Sequence, residues 1–95
     1  MNIRQLHTQD KPVSTFSIFK GAECNATVIQ ILKGQQLKEH LTKVPALLIC
    51  VEGEVVFENE KGIKETLLSG DYVHIEPLVK HWLDAKTEGQ LILLK

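Results

Sequence analysis

The sequence has little of what marks secreted, membrane-bound or nucleic-acid-binding proteins. It holds two cysteines and a formal net charge of −1, with acidic and basic residues interspersed. Cys24 and Cys50 lack the spacing and density of a disulfide or zinc framework, so we expect both thiols to be reduced. Without a run of basic residues, we expect no nucleic-acid partner and no anionic lipid partner.

Long apolar runs are also absent. The longest, Val44–Val51, is far shorter than the roughly 20 residues that a membrane-spanning helix needs. The opening residues Met1–His7 lack the apolar core of a signal peptide. We therefore expect a cytoplasmic location and no membrane partner.

The chain length of 95 residues is typical of one domain. We expect a single domain over residues 1–95, with an N-terminal arm over 1–13 and a core over about 14–95. His7 lies in this arm, where a solvent-exposed position is the ordinary expectation for a histidine.

Helical periodicity is hard to find, whereas short β-rich runs separated by turn residues recur along the whole chain. Glycines at Gly34, Gly53, Gly62 and Gly70 supply turns between these runs. The pattern predicts an all-β barrel or sandwich. The predicted strands are Thr15–Lys20, Ala26–Leu32, Leu37–Leu41, Ala46–Val51, Glu54–Asn59, Ile63–Leu68, Tyr72–Ile75, His81–Ala85 and Gln90–Leu94.

Several spacings in the last two-thirds of the chain agree with a known pair of motifs. The segment Gly34–His40 is followed by Val51–Val55, then by Leu68–Asp71, and last by His81. This order of glycines and histidines resembles that of the cupin superfamily. The resemblance implies a small double-stranded β-helix, or jelly-roll barrel, with His40 and His81 facing its lumen.

The sequence departs from the family at the positions that bind metal. In cupins, two His and one Glu of the first motif and one His of the second converge on a metal ion. Here His40 and His81 match, but Thr42 stands at the second His position and Ala46 at the Glu position. The resemblance thus implies a barrel that lacks half of the metal ligands. In the second motif, the Pro, Gly and Asn of the family are replaced by Glu76, Leu78 and Ala85.

The two retained imidazoles could act in three ways. They could bind a divalent transition metal (zinc, nickel or iron) with His40 and His81 as ligands and Thr42 and water completing the shell. They could instead orient a small molecule by hydrogen bonds, or be satisfied core histidines. A catalytic transition metal usually has three protein ligands, so a metal-free pocket is the stronger expectation. The predicted ligand-binding residues are His40, Thr42, Ala46, Leu48 and His81.

Strand alternation assigns faces to three further side chains. His74 should point away from the lumen, because both of its neighbours belong to the apolar face. Trp82 should point opposite to His81 and lie on the outer surface. Lys38 shares the parity of His40, which predicts the same face for both.

Three functions follow as alternatives. The first is a non-catalytic or weakly catalytic barrel that binds a small molecule in its lumen. The second is a metal-dependent enzyme, an isomerase or oxygenase, that uses His40 and His81. The third is a structural or regulatory dimeric barrel whose lumen is filled by side chains.

The assembly is predicted to be a homodimer. The strand Ala46–Val51 is apolar on both faces, and Trp82 adds an outward-facing aromatic ring. Together these would leave more apolar surface in water than a small monomer usually exposes.

Overall fold

A computed structural model describes residues 1–8 and 10–95, in which it has nine strands and one short 3-10 helix. In these residues no helix is long and apolar enough to cross a membrane. The helix spans Ile3–Leu6. The strands are β1 (Val13–Lys20), β2 (Asn25–Ile31), β3 (Gln36–His40), β4 (Ala46–Glu52), β5 (Val55–Asn59), β6 (Lys64–Leu67), β7 (Tyr72–Ile75), β8 (His81–Ala85) and β9 (Gly89–Leu94).

All nine predicted strands are confirmed, with bounds that differ by no more than two residues. The turn glycines explain this agreement. Gly34, Gly53, Gly62 and Gly70 all have a positive φ, which glycine adopts without the steric cost of a Cβ. The helix Ile3–Leu6 lies in the predicted arm and has no periodic signal in the sequence.

The strands form two antiparallel sheets. One has five strands in the order β1-β2-β9-β4-β7, and the other has four in the order β3-β8-β5-β6. Side chains from both sheets, such as Leu48 and Leu91 from the first and Phe57 and Leu83 from the second, form one buried cluster. Alternation along β8 places His81 on the same inward face as Leu83.

β3 contains a bulge that simple alternation does not anticipate. Leu37 is paired with Leu83 and His40 with His81, so three steps along β3 match two along β8. The extra residue brings Leu37 and His40 to the same inward face and leaves Lys38 exposed. The prediction that Lys38 shares a face with His40 is wrong for this reason.

The outward orientation of His74 and Trp82 is confirmed. His74 is exposed, and Trp82 is half-buried on the outer face of the four-stranded sheet, where its Nε1 donates to Glu58 Oε2 at 3.2 Å. Trp82 and β4 belong to different sheets, so their apolar side chains lie on separate outer faces.

His7 is the other residue whose environment differs from expectation. It is partly buried, and its Nδ1 lies 2.7 Å from Ser14 Oγ. The prediction of a solvent-exposed His7 is therefore wrong, because the N-terminal segment folds back onto β1.

Candidate functional site

Two histidines meet at one end of the barrel. β3 ends at His40, β8 begins at His81, and the two are register partners. Their ring centroids are 4.2 Å apart and the rings are tilted by 60°. The ring of His81 also stacks on Phe57 at 5.8 Å, and the residue is only 2% exposed. His81 is thus held between Phe57 and His40.

The backbone sets the same tautomer for both rings. His40 Nδ1 is 3.1 Å from the carbonyl oxygen of Lys38, and His81 Nδ1 is 3.3 Å from that of Val79. A carbonyl oxygen only accepts hydrogen bonds, so in each neutral ring Nδ1 carries the proton. Nε2 then has a free lone pair in both rings.

Burial favours the neutral form of His81. Removal from water lowers the pKa of His81, the hydrogen bond to the Val79 carbonyl opposes this shift, and the charges of His40 and Lys95 lower the pKa further. His81 is therefore suited to accept a hydrogen bond at neutral pH.

The space beside the two rings is small and apolar. The cavity has a volume of about 10 Å³, roughly that of one water molecule. It is lined by Ile29, Leu37, His40, Leu48, Ile75, His81, Leu83 and Leu93. A whole organic ligand cannot enter this space, but a small polar part of one can reach the two rings.

Solved structures share this arrangement of strands over nearly the whole chain. An RmlC-like cupin from Shewanella frigidimarina NCIMB 400 is 25% identical, with a TM-score of 0.80 over 87% of this chain and 74% of that one. A cupin superfamily protein from Desulfitobacterium hafniense DCB-2 is 14% identical, with a TM-score of 0.82 over 93% and 80%. KdgF from a Halomonas species is 18% identical, with a TM-score of 0.83 over 99% and 89%.

The chain has the fold of a small cupin-type protein. Its jelly-roll architecture agrees with the sequence prediction. No protein-family model and no curated protein matches the sequence. The similarity to cupins therefore lies in the fold.

The residues predicted to bind a ligand fall into two groups in this cupin barrel. His40, Leu48 and His81 line the cavity. Thr42 is buried, but its hydroxyl donates to the Val44 carbonyl at 2.7 Å within the β3–β4 loop, and Ala46 is packed in the core. The ligand-binding roles of all five stay predictions. The sequence did not identify five apolar lining residues, although alternation could have indicated Ile75 and Leu83. They are Ile29, Leu37, Ile75, Leu83 and Leu93.

The side chains at the site do not fit the metal that cupins commonly hold. His40 and His81 supply two nitrogen ligands, Thr42 uses its hydroxyl within its own loop, and Ala46 has no donor atom. Across residues 1–8 and 10–95, no group of three or more His, Cys, Asp or Glu side chains is arranged to hold a metal ion. Catalytic zinc sites usually have three protein ligands.

The loop that precedes His81 contains an unusual backbone conformation. Leu78 has a φ of 63°, and its amide donates to the Thr42 carbonyl at 2.8 Å. Leu78 stands where the cupin motif has glycine, and the positive φ gives the physical reason for that preference. The bond to Thr42 joins the β7–β8 and β3–β4 loops beside the histidine pair.

Proposed function

We propose that the protein is a non-catalytic binding barrel that receives a small hydrogen-bond-donating group of its ligand between His40 and His81. The observation that carries this proposal is the pair of neighbouring rings, each with Nδ1 engaged by a backbone carbonyl and Nε2 left as an acceptor. Two adjacent acceptors match a group with two donors, such as a vicinal diol. The rest of the ligand stays outside, because the cavity holds little more than one water molecule.

The thiol in the barrel core and the lining of the cavity favour binding over catalysis. Cys50 is completely buried in the core, and burial, assisted by the charge of Asp71, raises the pKa of its thiol. A protonated, inaccessible thiol is a poor nucleophile. No carboxylate lines the cavity. Acid–base chemistry that uses two carboxylates therefore has no residues to carry it there.

Binding of a defined probe tests this proposal. We expect 1,2-propanediol to shift the Nε2 resonances of His40 and His81 with a dissociation constant on the order of millimolar, as suits so small a ligand. 1-Propanol, which offers one donor, should bind several-fold more weakly. His40→Ala and His81→Ala should each abolish the shifts, whereas His74→Ala, which changes an exposed histidine on the outer surface, should leave them intact.

Two results would overturn the proposal. The first is equal binding of the diol and the mono-alcohol, or binding that survives both site variants; the filled-barrel alternative would then stand. The second is near-stoichiometric zinc, nickel or iron in protein purified without an affinity tag and lost in both site variants. That result would favour the metal-dependent enzyme.

A further inference from the structure

A row of polar side chains crosses the outer face of the five-stranded sheet. Ser14 of β1 is opposite Gln30 of β2, Gln30 is opposite Gln90 of β9, and Gln90 is opposite Glu52 of β4. Gln90 donates to Gln30 Oε1 at 2.7 Å. Although Gln90 points away from the core, it is only 1% exposed, so another part of the chain covers it.

The N-terminal segment, residues 1–8, contacts both ends of this row, and we call it the N-terminal strap. The Arg4 guanidinium forms an ion pair with Glu52. At the opposite end, His7 Nδ1 is 2.7 Å from Ser14 Oγ. The 3-10 helix Ile3–Leu6 spans the distance between these contacts. The strap therefore lies across the polar row.

Two buried polar atoms, one in the strap and one in the polar row, have no hydrogen-bond partner among the described residues. They are His7 Nε2 and Gln90 Oε1. If the Ser14 hydroxyl donates to His7 Nδ1, the neutral ring carries its proton on Nε2, which is then a buried donor, while Gln90 Oε1 is a buried acceptor. Burial lowers the pKa of His7, because the charged ring would lose its water.

The charged groups around His7 do not compensate for this loss of water. Glu52 of β4 is already paired with Arg4 of the strap. Lys11 lines the same surface hollow as Ser14, and its charge would oppose an imidazolium. The facing groups of β2 and β9 are neutral amides, and Asp10 in the connection to β1 is exposed to solvent.

We propose that His7 is an acid-sensitive latch, whose protonation releases the N-terminal strap from the polar row on the sheet. The docked strap prefers neutral His7, so the pKa of His7 is lower when docked than the ordinary value of about 6.5. The docked strap is then most stable above about pH 6.5, and its stability decreases as the pH falls below about 6.5. This latch is on the opposite side of the five-stranded sheet from the lumen and does not depend on the proposed binding function.

Nuclear magnetic resonance of the full chain tests the latch. Backbone order of Ile3–His7 and the ring titration of His7 should be measured between about pH 8 and about pH 5, where an ordinary Glu, with a pKa of about 4.3, is still mostly ionised. We expect the heteronuclear NOE of Ile3–His7 to fall as His7 protonates, with a midpoint below about 6.5. His7→Gln keeps a neutral donor and acceptor, so its strap should stay ordered over the whole range.

His74→Gln serves as the control, since His74 is exposed and lies on β7. It should behave as the parent does. The latch is refuted if the parent strap is as ordered at low pH as at high pH, or is already disordered at high pH. It is equally refuted if the His7→Gln strap loses its order with the same midpoint as the parent.

Discussion

Leu78 adopts a backbone conformation that residues with a Cβ atom disfavour. Its φ of 63° lies in the left-handed region, where a Cβ approaches the following carbonyl and costs about 1 to 2 kcal/mol. The side chain is 67% exposed, so it recovers little of this cost by burial. The residue is held there by its loop, in which its amide bonds to Thr42.

Replacement of Leu78 by glycine should therefore relieve strain. We expect Leu78→Gly to be about 1 kcal/mol more stable to unfolding than Leu78→Ala, because both variants remove the exposed side chain and only glycine accepts the positive φ freely. Urea denaturation of both variants measures the difference. Equal midpoints would show that the loop relaxes around alanine and that no strain is stored at this position.

At the scale of single strands, much of the fold could be predicted from sequence. The positive-φ glycines and the period of two placed all nine strands, because both signals are local. The bulge in β3 could not be foreseen, since it depends on how β3 pairs with β8, and neither strand marks it alone. The meeting of His40 and His81 followed from the family motifs, whereas the small size of the cavity depends on packing that spacing does not encode.

The N-terminal strap escaped prediction for a similar reason. Its partners Ser14, Gln30, Gln90 and Glu52 are scattered over four strands and form a row only when the sheet is assembled. Polar residues at such spacings are common in exposed strands, so they gave no signal of a docking segment.

The turns that join strands differ in how closely they pack against the rest of the chain, as Gly53 and Gly62 show. Both Gly53 and Gly62 have a positive φ. A Cβ on Gly53 would lie 2.3 Å from the carbonyl oxygen of Glu88 in the β8–β9 turn, whereas a Cβ on Gly62 would meet nothing within 4 Å. The β4–β5 turn thus requires glycine for space as well as for conformation.

We expect Gly53→Ala to lose about 2 to 3 kcal/mol more stability than Gly62→Ala. Both variants pay a similar conformational cost, so the difference reports the contact with Glu88. Thermal or urea unfolding of the two proteins provides the measurement. Similar losses in both would mean that the β8–β9 turn moves aside readily.

For the whole molecule, the outer face of the five-stranded sheet carries a broad apolar surface. Next to the polar row are two rows of cross-strand neighbours that reach all five strands. The first consists of Phe16, Val28, Ile92, Ile49 and Tyr72, of which Val28 is already buried within the chain. The second consists of Phe19, Ala26, Leu94 and Leu47 and ends at the polar, exposed His74. Phe19 and Tyr72 are each 61% exposed.

This face leads us to expect a homodimer, with a second copy of the sheet covering the two rows. Light scattering after size-exclusion chromatography should give twice the chain mass at roughly tens of micromolar. Phe16→Glu and Tyr72→Glu should each shift the protein to monomer, because they place charge within the covered area. Ile63→Glu, on an exposed turn beside the four-stranded sheet, should not. A parent protein that is monomeric at this concentration would contradict the expectation.

The small lumen also bears on how the protein should respond to hydrostatic pressure. Pressure unfolds proteins largely because internal voids are eliminated when the chain opens, so the volume change scales with the empty space inside. A cavity of about 10 Å³ offers little such space. Compression should therefore act on this barrel mainly through the hydration of its surface, and the volume change on unfolding should be small for a chain of this size.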